Sequence, residues 1–201
     1  MDSKADVLFK VCGALSDGDK TSATEILRDE YPFVPVEKIT RRYSVNESMT
    51  LFLRDRFIDR YTGKRLVNPG VLRLLHVELG ADFPAHPHGK LSETHLAFWE
   101  LFPTVDHVEP VSRGGADDES NWVTASMLSN KVKDQWTLGD LGWTLHPPGA
   151  VEWDGQSHWL VAYLAANPTV LAGAAENHRG YIRRWLTATK AALQEAADTA
   201  V

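Results

Sequence analysis

At 201 residues the chain is long enough for one well-buried domain, or for one core carrying helical additions. Its one cysteine, Cys12, excludes an internal disulfide and any cysteine-rich zinc site, and fits a reducing cytoplasm. With no long apolar run and no charged-then-apolar leader, the sequence predicts a soluble cytoplasmic protein without a membrane partner, and the formal charge of −6 argues against indiscriminate coating of nucleic acid.

In chain order, Val7, Leu8, Val11, Cys12 and Leu15 recur at helical spacing, and Gly18 closes the segment. Ser22 and Glu25 form a capping box for a second short helix through Ile26 and Leu27, which the apolar loop Tyr31 to Pro35 ends. Residues 1–45 are expected to form a helical cap. Asn46 caps a helix through Met49, Phe52, Leu53 and Phe57. Between Lys38 and Arg73, nine basic residues stand against three acidic ones. Any DNA-facing surface is localised there, although a solvated basic face reads equally well. Asn68 and Pro69 start a core helix through Val71, Leu72, Leu74, Leu75 and Val77 that ends at Gly80. His86, His88 and His95 follow at a spacing that fits no zinc site, and read as surface or hydrogen-bonding histidines. From Ser92 an aromatic helix with Leu96, Phe98, Trp99 and Leu101 is expected, its rings assigned to the core.

The next stretch carries the chemistry. The apolar run Val105 to Val111 holds Asp106 and His107 and ends in Pro110, Ser112, Arg113, Gly114 and Gly115, a strand followed by a loop. Asn121 precedes Trp122, Val123 and Thr124, which suit a second strand, and Ser126 can cap a helix holding Met127, Asn130 and Lys133. The carboxylate of Asp106 and the amide oxygen of Asn130 are hard ligands, suited to a magnesium-like ion that completes its shell with water and a substrate phosphate. Imidazole exchanges protons near neutral pH, so His107 can act as general base on a water. Asn121 reads as a brace that ties the loop to the first strand and orients His107, and Lys133 as a point charge for a phosphate. Successive strand residues face opposite sides, so Asp106 and His107 serve one site only if the strand bends or ends there.

This stretch closely resembles the HNH, or ββα-metal, nuclease motif in its HNN form. The matching residues are His107, Asn121 and Asn130, at separations of fourteen and nine, with Asp106 immediately before the histidine, the PVSRGG loop, and Lys133 after the last asparagine. The resemblance implies an α+β fold. A ββα unit (105–135) would lie in a nuclease core (46–143), between the cap and a helical extension (144–201). It also implies hydrolysis of a nucleic-acid phosphodiester with one divalent ion, Mg2+ first and Mn2+ as the alternative. His107 would be the base and Asp106 and Asn130 the ligands. Many HNH proteins carry a CxxCG knuckle after an RD pair. Here Asp59 and Thr62 stand at the cysteine positions and Gly63 keeps the turn, so structural zinc is not expected, and packing by Phe57, Tyr61 and Leu66 should replace it. Arg60, Lys64 and Arg65 around that turn, with Arg113 in the loop, are further phosphate candidates. The outer motifs RDRFIDRYTGKRL and WDG are similar to those of bacterial standalone HNH endonucleases.

Further on, Trp136 to Trp143 reads as a short helical turn stopped by Pro147, Pro148 and Gly149. Asp154 then caps a helix with Trp159, Leu160, Tyr163 and Leu164, and a long final helix starts near Glu176. Phosphate-cradling glycine loops, GxSxG and HExxH are absent from the sequence. The reading is a metal-dependent endonuclease acting on double-stranded DNA, with restriction or defence as its role by analogy. One such site cuts one strand, so a double-strand break takes a homodimer or two successive events. The alternatives are a DNA-binding module that does not cleave or awaits a partner, and an RNA-directed or toxin-like nuclease.

Overall fold

The computed structural model describes residues 3–33, 43–149 and 153–199. Val34 and Pro35 of the apolar loop, and Lys38, Arg41 and Arg42 of the basic stretch, lie outside the described residues. The chain forms two compact units, Met1–Lys38 and Ile39–Val201.

The first unit is a pair of helices, α1 (Lys4–Ser16) and α2 (Lys20–Glu30). Ser3 and Asp6 close a capping box on α1. The expected box from Ser22 to Glu25 does not form. Asp19 caps α2 instead, because its carboxylate takes both the backbone N–H of Ser22 at 3.0 Å and the Ser22 hydroxyl at 2.7 Å. Cys12 is exposed.

The second unit runs α3 (Val45–Arg54), α4 (Pro69–Leu79), α5 (Ala97–Glu100), β1 (Pro103–His107), β2 (Trp122–Ser126), α6 (Met127–Lys133), α7 (Leu138–Leu141), α8 (Ser157–Ala166), α9 (Pro168–Gly173) and α10 (Glu176–Thr199). It is an α+β arrangement, mostly helical around one antiparallel hairpin. α3 starts two residues before the expected Asn46, because Ser44 has Glu47 at the third helical position to return its hydrogen bond. The aromatic helix expected from Ser92 shrinks to a 3-10 turn and the single-turn α5, since Thr94 is extended and the N–H of His95 goes to the carbonyl of Pro84.

Four apolar clusters occur among the described residues of this unit, and two of them join α10 to α3, α4 and α8. Met49, Leu51 and Phe52 of α3 pack with Phe57, Leu66 and the α10 residues Trp185, Ala188 and Ala192, and the Phe52 and Trp185 rings stack at 6.2 Å. Val71 and Leu74 of α4 pack with Leu160 and Leu164 of α8 and Ile182 of α10. Each Val, Leu, Ile, Phe or Met among them contributes about 1.5–3 kcal/mol on burial. Asn68 caps α4 through the Gly70 N–H at 2.8 Å, as its sequence position before Pro69 implies. Fully buried, it also donates to Ser157 at 3.0 Å and Thr189 at 2.9 Å, which fixes the start of α4 to α8 and α10.

The motifs RDRFIDRYTGKRL and WDG, distant in sequence, meet here. Trp153 donates to the carbonyl of Leu66 at 2.7 Å, and the N–H of Asn68 reaches the carbonyl of Gly155 at 2.9 Å. Asp154 takes the N–H groups of Gln156 and His158, so it caps α8 from outside the helix. The turn where a zinc knuckle would stand is held by more than apolar packing. Phe57, Tyr61 and Leu66 are buried as expected, and so are the carboxylates of Asp55 and Asp59. Asp55 accepts the Thr124 N–H at 2.8 Å, and Asp59 accepts the Ser126 N–H at 3.2 Å and the Ser129 hydroxyl at 2.6 Å. The N–H of Arg60 donates to the carbonyl of Thr124 at 2.8 Å. A two-stranded ribbon leaves its outer backbone groups unpaired. This bracket satisfies those of β2 and fixes the hairpin to the helical core.

Candidate active site

β1 and β2 pair in register from Pro103↔Ser126 to His107↔Trp122, and Ser126 both ends β2 and caps α6 through the Ser129 N–H, as its place in the sequence implies. The result is a ββα unit whose first strand ends at His107. The loop between the strands is shaped by its glycines: Gly114 takes φ +96°, and a Cβ on Gly115 would lie 2.0 Å from the carbonyl oxygen of Glu109. That close approach lets Asn121 bridge the loop. Its amide oxygen accepts the Glu109 N–H at 2.9 Å, and its NH2 donates to the carbonyls of Glu109 and Ala116, both at 2.8 Å.

His107 is 1% exposed. Its Nε2 lies 2.7 Å from Oδ1 of Asp117 and 3.1 Å from Nε1 of Trp122, and the Tyr43 hydroxyl stands 3.3 Å from Nδ1. Nε2 cannot both donate and accept, and the shortest contact decides the tautomer: Nε2–H donates to Asp117. The indole N–H of Trp122 is then directed to the same carboxylate oxygen at 3.4 Å, and the Tyr43 hydroxyl stands between the two ring nitrogens, 3.3 Å from Nδ1 and 3.4 Å from Nε2. None of Asp117, Trp122 and Tyr43 was picked out from the sequence. Asp117 stands ten residues after His107 in the acidic run ADDES, which reads as a solvated loop, and Tyr43 is 64 residues away.

Asp106 lies on the other side of β1, as strand alternation demands. It is 6% exposed, and its Oδ2 accepts from the Tyr61 hydroxyl at 2.7 Å and lies 3.4 Å from the ammonium of Lys133. Burial, then the charge of Asp106, push the Tyr61 phenol far above its ordinary range, so this hydroxyl stays a donor. Lys133 overturns its expected place as a phosphate contact. It is 0% exposed, the last residue of α6 before Asp134 turns the chain at φ +45°, and its ammonium donates to the carbonyl of His107 at 2.6 Å. A buried carboxylate needs a compensating charge, and Lys133 supplies it.

Asn130 turns its NH2 to Oγ1 of Thr104 at 3.0 Å and the carbonyl of Val105 at 3.2 Å. Thr104 and Asp106 alternate onto one face of β1, so Asn130 and Asp106 share that side. Oδ1 of each accepts no hydrogen bond among the described residues, which leaves one hard oxygen on each side chain for a cation. No group of three or more His, Cys, Asp and Glu that could hold a metal occurs among the described residues. The donor set fits an ion that keeps most of its shell as water and phosphate, and not a closed protein cage.

The remaining basic candidates are unlike one another. Arg60 is removed from the phosphate-facing group: its side chain is 13% exposed, and its guanidinium is held by Asp55 at 3.1 Å and the carbonyl of His146. Arg113 pairs with Asp140 at 2.7 Å and lies over Trp136. Arg65 lies over Trp153 at 5.2 Å, and Lys64 is exposed with no ion pair among the described residues. His86 accepts the N–H groups of His88 and Lys90, and His95 stacks on Phe83 at 4.4 Å.

A hairpin and helix with an imidazole at the strand end and two oxygen donors on the opposite face of that strand form a ββα unit of the kind that the resemblance implied. The HNH endonuclease family model matches residues 98–126, from α5 through β1 and the loop to the end of β2. Over these residues the chain is similar to the HNH endonuclease family. The match takes in Asp106, His107 and Asn121 and stops short of Asn130. HNH nucleases generally use a divalent metal and act on DNA. No curated protein and no solved structure matches the chain. Among the described residues no helix is long and apolar enough to cross a membrane.

Proposed function

We propose that the chain is a metal-dependent DNA endonuclease in which His107 is the general base and Asp106 and Asn130 hold one divalent ion, Mg2+ first. The observation that carries this reading is the state of the three side chains. Nε2 of His107 is fixed by Asp117 while Nδ1 keeps its lone pair, and Asp106 and Asn130 each keep one oxygen without a hydrogen bond on a shared face of β1.

The Tyr43 hydroxyl, 3.3 Å from Nδ1 and 3.4 Å from Nε2, marks the side from which a proton-bearing oxygen comes within reach of the ring. A water in that place gives its proton to Nδ1 as its oxygen attacks phosphorus. Asp117 stabilises the imidazolium that results, the role a carboxylate has behind any histidine base. The bond from phosphorus to the 3′ oxygen then breaks, and that oxygen takes a proton from solvent water, leaving a 3′ hydroxyl and a 5′ phosphate. A divalent ion on Asp106 and Asn130 would supply Lewis-acid stabilisation of charge on the phosphate and the leaving oxygen. Asn121 keeps the loop that carries Asp117 against β1, and Tyr61 and Lys133 hold Asp106 in place. Lys64, Arg65 and Arg113 are the basic side chains left to meet phosphates. A double-strand break takes two such sites in a homodimer, or two successive nicks.

The burial of His107 favours a second reading, DNA binding without turnover, since a water must replace Tyr43 before the base can act. Supercoiled plasmid incubated with magnesium, manganese or EDTA separates the two. We expect nicking that needs the metal and that His107→Ala abolishes. A variant that cuts as fast as the parent removes His107 from the mechanism, and the same incubation with single-stranded RNA tests the RNA-directed alternative.

A further inference from the structure

Negative charge is scarce at the proposed ion site. The two oxygens of Asp106 differ: Oδ2 accepts the Tyr61 hydroxyl at 2.7 Å and stands 3.4 Å from the ammonium of Lys133, while Oδ1 accepts no hydrogen bond among the described residues. Lys133 is fixed in that place. It is 0% exposed, donates to the carbonyl of His107 at 2.6 Å and lies 5.7 Å from the centre of the Tyr61 ring. The protein therefore offers a cation one carboxylate oxygen from Asp106 and one neutral amide oxygen from Asn130.

Lys133 cancels the single negative charge of this set, and Asn130 adds none. The next carboxylate does not make up the loss, because the oxygens of Asp59 are taken by the Tyr61 N–H at 2.9 Å and the Ser129 hydroxyl at 2.6 Å. Affinity for a hard divalent cation follows the number of charged oxygen ligands, and magnesium in particular gives up its water reluctantly. Two donors with their charge cancelled make a weak site. A phosphodiester brings both the missing negative charge and further hard oxygens.

We propose that the divalent ion binds tightly only together with DNA, the substrate phosphate replacing the charge that Lys133 cancels on Asp106. Lys133 and Tyr61 thereby make loading with metal conditional on substrate. This inference rests on the nuclease reading and adds to it an order of assembly. The coupling is reciprocal by thermodynamic linkage: DNA raises the affinity for the ion by the factor by which the ion raises the affinity for DNA.

The test uses the His107→Ala protein, so that nothing is cut. Loss of the free-ion Mn2+ resonance measures ion binding with and without a short DNA duplex, and fluorescence anisotropy measures duplex binding in Mn2+ and in EDTA. Each measurement is repeated with Asp106→Ala added, which gives the part due to ions on the DNA itself. Beyond that part, we expect the duplex to tighten ion binding roughly tenfold or more, and the ion to tighten duplex binding by the same factor. Added to His107→Ala, Lys133→Met should tighten ion binding without DNA roughly tenfold and shrink the coupling. Tyr61→Phe, which keeps the ring and frees Oδ2, should act in the same direction by about threefold and stands in if Lys133→Met does not fold. All variants are measured below their melting temperatures. Tight ion binding without DNA, or an affinity that neither variant changes, overturns the coupling and leaves the nuclease reading standing. Failure to bind the ion in either condition sinks both.

Discussion

At the scale of single residues, the ring of His107 is held by a carboxylate on Nε2, with the Tyr43 hydroxyl within reach of both nitrogens. Asp117→Asn keeps the shape and removes the charge that stabilises an imidazolium. We expect the metal-saturated nicking rate to fall roughly 10²-fold with its dependence on DNA concentration unchanged. A rate within twofold of the parent would leave Asp117 as loop structure only. On the other face of β1, Lys133 compensates Asp106. Lys133→Met strands a buried carboxylate, at a cost of about 3–5 kcal/mol. Melting should drop on the order of 10 °C, and millimolar magnesium should restore more of it than it adds to the parent, because the ion replaces the missing charge. Melting curves that coincide with the parent's, with or without magnesium, refute this role for Lys133.

At the scale of elements, the hairpin is stable because other segments finish its hydrogen bonds. Asp55 and Asp59 cover the outer edge of β2, and Asn121 binds the loop to the chain just past β1. That loop has no room beside Glu109: Gly115→Ala places a methyl 2.0 Å from a carbonyl oxygen and 2.8 Å from Nδ2 of Asn121. The chain must shift there, and Asp117, two residues on, shifts with it. Overpacking of this kind costs about 1–3 kcal/mol, whereas a displacement near 1 Å at a catalytic group costs roughly 10²-fold in rate. Nicking assays beside thermal melts check the contrast, and a variant that melts lower while cutting normally goes against it. The ββα unit was legible from Asp106 to Lys133 because Ser126, the glycines and the β-branched run are local signals. The bracket was not, since Asp55 and Asp59 lie about 70 residues before the strand they serve.

At the scale of the whole molecule, a chain of formal charge −6 with few unpaired basic side chains near its site is no general coat for DNA. With Lys64, Arg65 and Arg113 as the phosphate contacts, log K for duplex DNA should fall with log salt at a slope of about −3, near 0.9 per neutralised phosphate. Titrations across salt concentrations check this, and a slope steeper than about −6 would require a larger basic face than these three residues make.

The sequence by itself determined the local grammar: a strand carrying Asp106 and His107, the glycine loop, the Ser126 cap and the start of α4 at Asn68 and Pro69. Each depends on neighbours within a few positions, where backbone geometry and capping act. The tertiary structure decided which charges meet. It buried Lys133 against Asp106, held Arg60 on Asp55, set Asp117 on Nε2 of His107 with Tyr43 beside the ring, and placed Arg73 over the rings of Phe98 and Tyr181. Those outcomes follow from the packing of segments tens of residues apart, and an ion pair leaves no period or spacing along the chain by which it could be read.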